Sequence, residues 1–382
     1  MKLFLLYPFV IAVYLIFRFV LPMRIKSGIK TFFIIVVIIF CLRQYWYIPF
    51  GGTMLDQMMP RPIVLVSGVA CLATIVMFAL TVLRDFINFA GKIIKRSSDY
   101  QFIAPGSLFF NFLFFVAGVL IGVYGVMGGI SSPRIERITV ELKTLPKEAE
   151  GYRIVYLTDL HISKFTLESD VSAIVKRVNV LKPNLILLGG DYQDGKYDAL
   201  DSKLSLFKSL YAKDGVYAVS GNNEFYHGYK NWKNYYENIG IRILDNTSVK
   251  IGELQFRKFY FNLAGVMDEK GKSFGFEGID VDKALLGIDP SVPTIMLCHQ
   301  PAYAEMFKNK VDLILSGHTH GGMLPILKTL TAKMNKGFVS GIYYLDNTQL
   351  LVSNGTMVWE GFPLRINTPL QIYEITLKSG KR

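Results

Sequence analysis

Five short clusters in this 382-residue chain combine aspartate, histidine and asparagine in a way that suits a metal ion. They are Asp159-Leu160-His161, Gly189-Gly190-Asp191, Gly221-Asn222-Asn223-Glu224, Cys298-His299 and His318-Thr319-His320-Gly321-Gly322. Carboxylate, imidazole and carboxamide donors together fit a borderline divalent ion such as Mn²⁺, Zn²⁺ or Fe. The chain has five histidines, and four of them fall in these clusters. Taken singly, Asp-Leu-His reads as a surface loop and Gly-Gly-Asp as a turn. Their number and order carry the metal reading. His161 lies two residues beyond Asp159, and His320 two beyond His318. In extended or loop backbone this spacing puts both side chains on one side. The glycines let the backbone pass close to an ion. Cys298 reads as a buried strand residue rather than a ligand. With Cys41 and Cys71 it makes no spacing that would form a disulfide framework or a zinc knuckle.

Each cluster follows a short apolar run. Strands are expected at Ile138–Leu142, Arg153–Thr158, Asn184–Leu188, Val216–Ser220, Thr294–Cys298, Asp312–Ser316, Gln349–Ser353 and Leu370–Leu377. Helices are expected at Ser169–Leu181 and Asp201–Tyr211. Alternating strands and helices give an α/β layered domain. In open α/β sheets ligands collect beyond the carboxyl ends of the strands, so five clusters at five strand ends can converge on one place.

Before about Pro133 the texture is different. Hydrophobic residues make up 51% of the chain, with 28 Phe. Four apolar stretches fill the first third: Leu3–Leu21, Phe32–Leu42 running on to Tyr47, Pro62–Leu83, and one within Ser107–Ile130. A membrane helix needs about 20 mostly apolar residues, so the expectation is four transmembrane helices. The first lacks a small-residue cleavage site and reads as retained rather than as a signal peptide. In the fourth, Gly118 and Gly122 have the small-residue spacing that permits close helix packing. The formal charge is +12, and residues 1–130 hold 11 Lys/Arg against 3 Asp/Glu. Basic loops between apolar spans fit topology signals and anionic lipid contact, and no nucleic-acid-binding motif accompanies them. Arg18, Arg24, Lys26, Lys30, Arg84, Lys92, Lys95 and Arg96 lie in the first and third loops, against Lys2, Arg43, Arg61, Arg134 and Arg137 on the other side. Eight against five makes the first and third loops cytoplasmic and leaves the following domain outside the cytoplasm.

The order Asp-x-His, Gly-Gly-Asp, Gly-Asn-x-Glu, a single His, then Gly-His-Thr-His closely resembles the calcineurin-like metallophosphoesterases. It looks most like their bacterial branch with amino-terminal membrane spans. The similarity runs from about Leu145 to the end, including Gly361-Phe362-Pro363-Leu364-Arg365 and Gln371-Ile372. The resemblance implies four amino-terminal transmembrane helices, then a two-sheet α/β/β/α sandwich with a dinuclear site at one rim. Residues 1–132 would form the membrane domain and 133–382 the catalytic domain. Asp159, His161, Asp191 and His320 would hold the first of two divalent ions. Asp191, Asn222, His299 and His318 would hold the second, with Asp191 bridging. Such ions lie about 3.5–4 Å apart and clamp an in-line displacement at phosphorus, with a bridging hydroxide as nucleophile.

One departure stands out. The family usually has a histidine where this chain has Asn223. That histidine contacts phosphate or protonates the leaving group, and asparagine cannot titrate near neutrality. Either His227, four residues on, substitutes for it, or the leaving group needs no acid. A lesser departure is Met323, where glutamine is usual. Arg365 reads as structural rather than phosphate-binding, and Tyr226 and Trp232 as packing rather than a substrate rim. The expected activity is metal-dependent hydrolysis of a phosphoester or pyrophosphate bond, on a lipid-linked or envelope substrate, at the cell membrane. The resembling branch includes an enzyme of lipid A synthesis that cleaves a UDP-linked diacylglucosamine pyrophosphate, which is one alternative. A membrane sensor that binds phosphate without turnover is another. Neither a nucleic acid nor a protein partner is expected.

Overall fold

The computed structural model describes residues 2–53, 55–253 and 258–380. The chain divides into two compact units: Met1–Gly128 with Gly361–Leu364, and Gly129–Glu360 with Arg365–Arg382.

The first unit is helical. Helix α1 spans Lys2–Leu15 and runs into a π-helical turn at Ile16–Val20. Helix α2 spans Ser27–Cys41, α3 Arg61–Lys95 and α4 Leu108–Gly129. Among the described residues three helices are long and apolar enough to cross a membrane: Ser27–Tyr45, Arg61–Lys95 and Leu108–Gly129. The first apolar stretch forms only a shorter apolar helix, Leu6–Val20. Four expected spans therefore become three candidates. The Gly118 and Gly122 pair finds a partner in α3. A Cβ at Gly118 would lie 2.8 Å from the Ala73 carbonyl oxygen, and one at Gly122 would lie 2.7 Å from that of Val69. Backbones this close need the small-residue spacing.

The second unit is a mixed α/β fold with two six-stranded sheets. Its strands are β1 Arg134–Leu142, β2 Arg153–Leu157, β3 Leu185–Leu188, β4 Val216–Ala218, β5 Arg242–Ile243 and β6 Thr247–Glu253, followed by β7 Lys258–Gly265, β8 Thr294–Leu297, β9 Leu313–Ser316, β10 Gly341–Leu345, β11 Thr348–Val352 and β12 Gln371–Ser379. The first sheet has the order β1-β12-β2-β3-β4-β5, and the second β10-β11-β9-β8-β7-β6. Strands β2 through β5 are mutually parallel, as are β7, β8, β9 and β11. The helices are α5 Glu168–Val180, α6 Tyr197–Leu204, α7 Asn222–Tyr226, α8 Tyr229–Asn238, α9 Val281–Ala284 and α10 Lys328–Met334.

Strands such as Leu185–Leu188 (LILL) and Leu313–Ser316 (LILS) are buried along their whole length because each lies between two covered layers. Alternation along β2 shows the layers. Ile154 and Tyr156 point into a core shared with Leu263, Ile295, Leu297 and Leu315 of the second sheet. Val155 and Leu157 point the other way, among Val171 and Val178 of α5 and Trp232 of α8. The outer face of the second sheet (Met296, Ile314, Val352) packs on Ala284, Ala304 and Phe307. Trp232 is fully buried and stacks on Tyr192 at 5.6 Å, so it belongs to the core rather than to a rim. The helix expected at Asp201–Tyr211 begins earlier, at Tyr197, and gives way to a 3-10 turn at Ser205–Ser209.

Candidate metal centre

The five clusters stand where parallel strands end. Asp159 and His161 follow β2, and Asp191 follows β3. Asn222 opens α7 just after β4, His299 follows β8, and His318 and His320 follow β9. Because β2, β3 and β4 are neighbours, as are β8 and β9, their ends gather the clusters at one edge of the two sheets.

The local backbone is unusual there. Asp159, His161, Asp191, His318 and His320 all have positive φ, between 43° and 67°. A non-glycine residue in this region costs of order 1–3 kcal/mol, and such strain persists only where surrounding structure fixes it. Here a loop ladder does so: the Asp159 amide donates to the Gly190 carbonyl (2.9 Å), and those of Leu160 and His161 donate to the Asp191 carbonyl (2.9 and 3.1 Å). The paired side chains are thus brought together by left-handed turns and not by extended backbone. Two glycines leave no room for a side chain. A Cβ at Gly221 would overlap Asp191 Oδ1, and one at Gly317 would overlap Asp159 Oδ2.

Two groups of donors result. In each of Asp159/His161/His320 and Asp191/His299/His318, one ligand atom per residue lies within 4.8 Å of the others. Within the first, His320 Nε2 is 3.7 Å and His161 Nε2 is 4.0 Å from Asp159 Oδ1. Asp191 Oδ2 faces both groups, 3.9 Å from His161 Nε2 and 3.3 Å from His299 Nε2. One carboxylate oxygen between two histidines is the arrangement a bridging ligand requires.

Partners behind these residues fix their orientation. The His299 Nδ1–H donates to the Gly189 carbonyl at 2.7 Å, which leaves the Nε2 lone pair facing the site. That Nε2 is buried and faces Asp191 Oδ2 at 3.3 Å. Asn222 donates through Nδ2 to Asn223 Oδ1 at 2.8 Å, and its buried Oδ1 is left without a partner. Asp194 receives the His161 Nδ1–H at 2.9 Å and also the Asn223 side-chain amide. Arg365 donates to His320 Nδ1 at 2.6 Å and to the His320 carbonyl. Neutral His320 then carries its proton on Nε2, 3.1 Å from His161 Nε2, and a cation would take that proton's place. The unpartnered Asn222 oxygen and the facing imidazole nitrogens fit two divalent ions.

The electrostatics match. Burial works against charge on His161, but Asp194, Asp191 and Asp159 raise its pKa to about 9. Burial opposes the Asp191 charge, yet His299 and His161 hold its carboxyl well below the usual range. Burial and the neighbouring His299 push His318 down to about 4. Burial and Arg365 depress His320 further. Glu224 receives the amides of Asp191, Tyr192 and Gly221 at 3.0, 2.8 and 2.6 Å and so ties the ends of β3 and β4 together. Burial and Asp191 push its carboxyl up to about 8.

Six of the seven residues expected as ligands fall in the two donor groups, and the seventh, Asn222, stands against Asn223. Asn223 is buried beside them, with its side chain held between Asn222 and Asp194. His227 caps the end of α7, is half-buried, and belongs to neither donor group. Sequence reasoning missed Asp194 and Glu224. The carboxylate three residues beyond Asp191 and the Glu closing Gly-Asn-x-Glu were the available signals. Arg365 holds a candidate ligand in place, which gives its structural role a site.

The calcineurin-like phosphoesterase family profile matches residues 152–322, which include every one of these donors. A transmembrane protein with metallophosphoesterase domain from Danio rerio is 30% identical over 302 residues, covering 77% of this chain and 69% of that protein. A metallophosphoesterase of Helicobacter pylori is 31% identical over 329 residues, covering 84% of each. One from Aquifex aeolicus is 29% identical over 246 residues, covering 64% of this chain and 92% of its own length. By profile, by relatives aligned over most of both chains and by its donor groups, this chain belongs to the calcineurin-like metallophosphoesterase family.

Proposed function

We propose that the protein hydrolyses a phosphoester or pyrophosphate bond with two divalent ions, on a substrate that is lipid-linked or part of the cell envelope. The observation that carries this reading is Asp191 Oδ2, which faces a histidine of each donor group. Asp159, His161, Asp191 and His320 would hold one ion, and Asp191, Asn222, His299 and His318 the other. Residues 1–132 act as the membrane domain and 133–382 as the catalytic domain. When bound, such ions polarise a phosphoryl oxygen and lower the pKa of a bound water. The protein's own residues do the positioning. Asp194, the Gly189 carbonyl and Arg365 each fix one imidazole, as outer partners of metal ligands generally do. Asn223 offers the phosphate a hydrogen-bond donor but no titratable proton. His227 is the candidate donor to the leaving group, and it is dispensable for a leaving group that departs as a stable anion.

The test is turnover of a chromogenic phosphodiester and of a UDP-linked diacylglucosamine by purified protein with Mn²⁺. Metal-dependent hydrolysis of the first supports the reaction class. Hydrolysis of the second assigns the pyrophosphatase of lipid A synthesis. Hydrolysis of no phosphate ester overturns the enzyme reading and leaves the second one, phosphate binding without turnover, which Asn223 favours. The side of the membrane is set by a reporter fused at the carboxyl terminus. The loop charges predict an extracytoplasmic signal, and a cytoplasmic one overturns that assignment.

A further inference from the structure

The candidate ligands His318 and His320 are followed by a segment whose surface does not suit water. A 3-10 turn at Pro325–Leu327 leads into α10, and no residue of α10 is buried. Ile326, Leu330 and Met334 are 79%, 56% and 74% exposed. Four-residue spacing puts Leu330 and Met334 on one face of α10, and Ile326 is exposed in the turn that leads into it. Residues 313–345 contain no Asp or Glu, while Lys328, Lys333 and Lys336 are all exposed within the same segment. Large exposed apolar side chains clustered together mark a contact surface. An apolar stripe flanked by lysines fits the boundary of an anionic bilayer, where headgroups meet the cations and acyl chains meet the stripe. The same chain carries helices long and apolar enough to cross a bilayer, so such a surface is at hand.

The segment is fastened to the candidate site at both ends. The Met323 amide donates to the His320 carbonyl at 3.1 Å, and Thr368 Oγ1 donates to the Met323 carbonyl at 2.7 Å. At the far end, Thr319 Oγ1 donates to the Val339 carbonyl at 2.6 Å. We propose that residues 325–336 dock on the anionic bilayer surface, with Ile326, Leu330 and Met334 among the acyl chains and the three lysines at the headgroups. Docking there holds the His318–His320 loop at headgroup level. Resting on the phosphoesterase reading, it names the substrate class as a phosphate ester carried by a membrane lipid.

The experiment uses full-length protein in lipid nanodiscs of phosphatidylglycerol and phosphatidylcholine with brominated acyl chains. Leu330→Trp places a reporter on the stripe. Tyr211→Trp places one at a position that is 75% exposed and outside the segment. Difference emission against the parent protein should show quenching by bromine for Leu330→Trp and none for Tyr211→Trp. Reversing Lys328, Lys333 and Lys336 to Glu in the Leu330→Trp background should lower the docked fraction ratio by about fivefold or more per lysine. Equal quenching at the two positions, or none at either, overturns the docking. Quenching that ignores the lysine reversals overturns the anionic assignment. A soluble phosphodiester assayed on the parent preparation separates the two readings. If it is not hydrolysed, the substrate class falls while the quenching result stands on its own.

Discussion

Replacing Asp194 with asparagine probes how the fold holds its candidate ions without touching a ligand. Asp194 is buried and meets His161 Nδ1 with both oxygens, at 2.9 and 3.1 Å. Against the penalty of burial, Asp194 is the largest influence raising His161 from its ordinary 6.5 to about 9. A shift of that size corresponds to about 3 kcal/mol of preference for a positive charge on the imidazole. A cation at Nε2 feels part of the same field. In Asp194→Asn the carboxamide oxygen can still accept from both His161 and the Asn223 amide, which meet the same carboxylate oxygen, but the negative charge is gone and an NH2 group replaces the oxygen 3.1 Å from His161 Nδ1. Outer partners of metal-binding histidines typically contribute about 10–100-fold in metal affinity, and the upper half of that range is expected here. The assay is activity and metal content as free Mn²⁺ is varied with a chelator buffer. Half-saturation should rise by that factor, and activity at saturating Mn²⁺ should return to near the wild-type value. Unchanged half-saturation would refute the positioning argument. Normal metal content with lost activity would place Asp194 in the chemistry instead.

Three further outcomes are expected. His227→Ala should slow hydrolysis of an alkyl phosphodiester by about 10²-fold or more while leaving a nitrophenyl ester nearly unaffected, since only the poor leaving group needs a proton; equal rates on both substrates would remove His227 from the site. Gly317→Ala should disrupt the His318–His320 loop, because its Cβ overlaps Asp159 Oδ2, and metal content should fall while the thermal transition of the helices persists; full metal retention would contradict the geometry. In metal-free protein, His161 at about 9 stabilises the fold fully below about pH 6.5 and loses that contribution as pH rises to 9. His318 at about 4 has the opposite sign, with a penalty that appears as pH falls from about 6.5 towards 4. Glu224, held up at about 8, adds a penalty that grows as pH rises from about 4.5 to 8 and offsets the His318 limb. The melting midpoint of chelator-treated protein should therefore fall as pH rises from about 6.5 to 9, and Mn²⁺ should flatten that fall; a metal-free midpoint still rising at pH 9 would contradict the His161 environment.

The candidate site was legible in the sequence wherever chemistry-bearing residues follow an apolar run, because parallel strands buried on both faces announce their own ends. Asp159, Asp191, Asn222, His299 and His318 all follow such runs, and β2, β3, β8 and β9 lie where those runs predict. Asp194 and Arg365 stood in view in the sequence, but their pairings in the site did not. Arg365 meets His320 across 45 residues, and Asp194 meets His161 across 33, so only the folded sheets bring them together. The hairpin of β6 and β7 and the edge strand β10 also escaped. An edge strand is exposed on one side, as Ile342 and Tyr344 of β10 show, and its pattern is less distinctive than a buried run. The first apolar stretch read as a span by composition, yet its apolar helix is shorter than the others.

Two ions sharing Asp191 are the core of the proposed function. Elemental analysis of purified, Mn²⁺-loaded full-length protein, wild type beside Asp191→Asn, tests this directly. It predicts about two metal equivalents per wild-type chain. In Asp191→Asn at least one of them should be lost, together with phosphoesterase activity. One equivalent or none in active wild-type protein, or two in Asp191→Asn with activity retained, would contradict it.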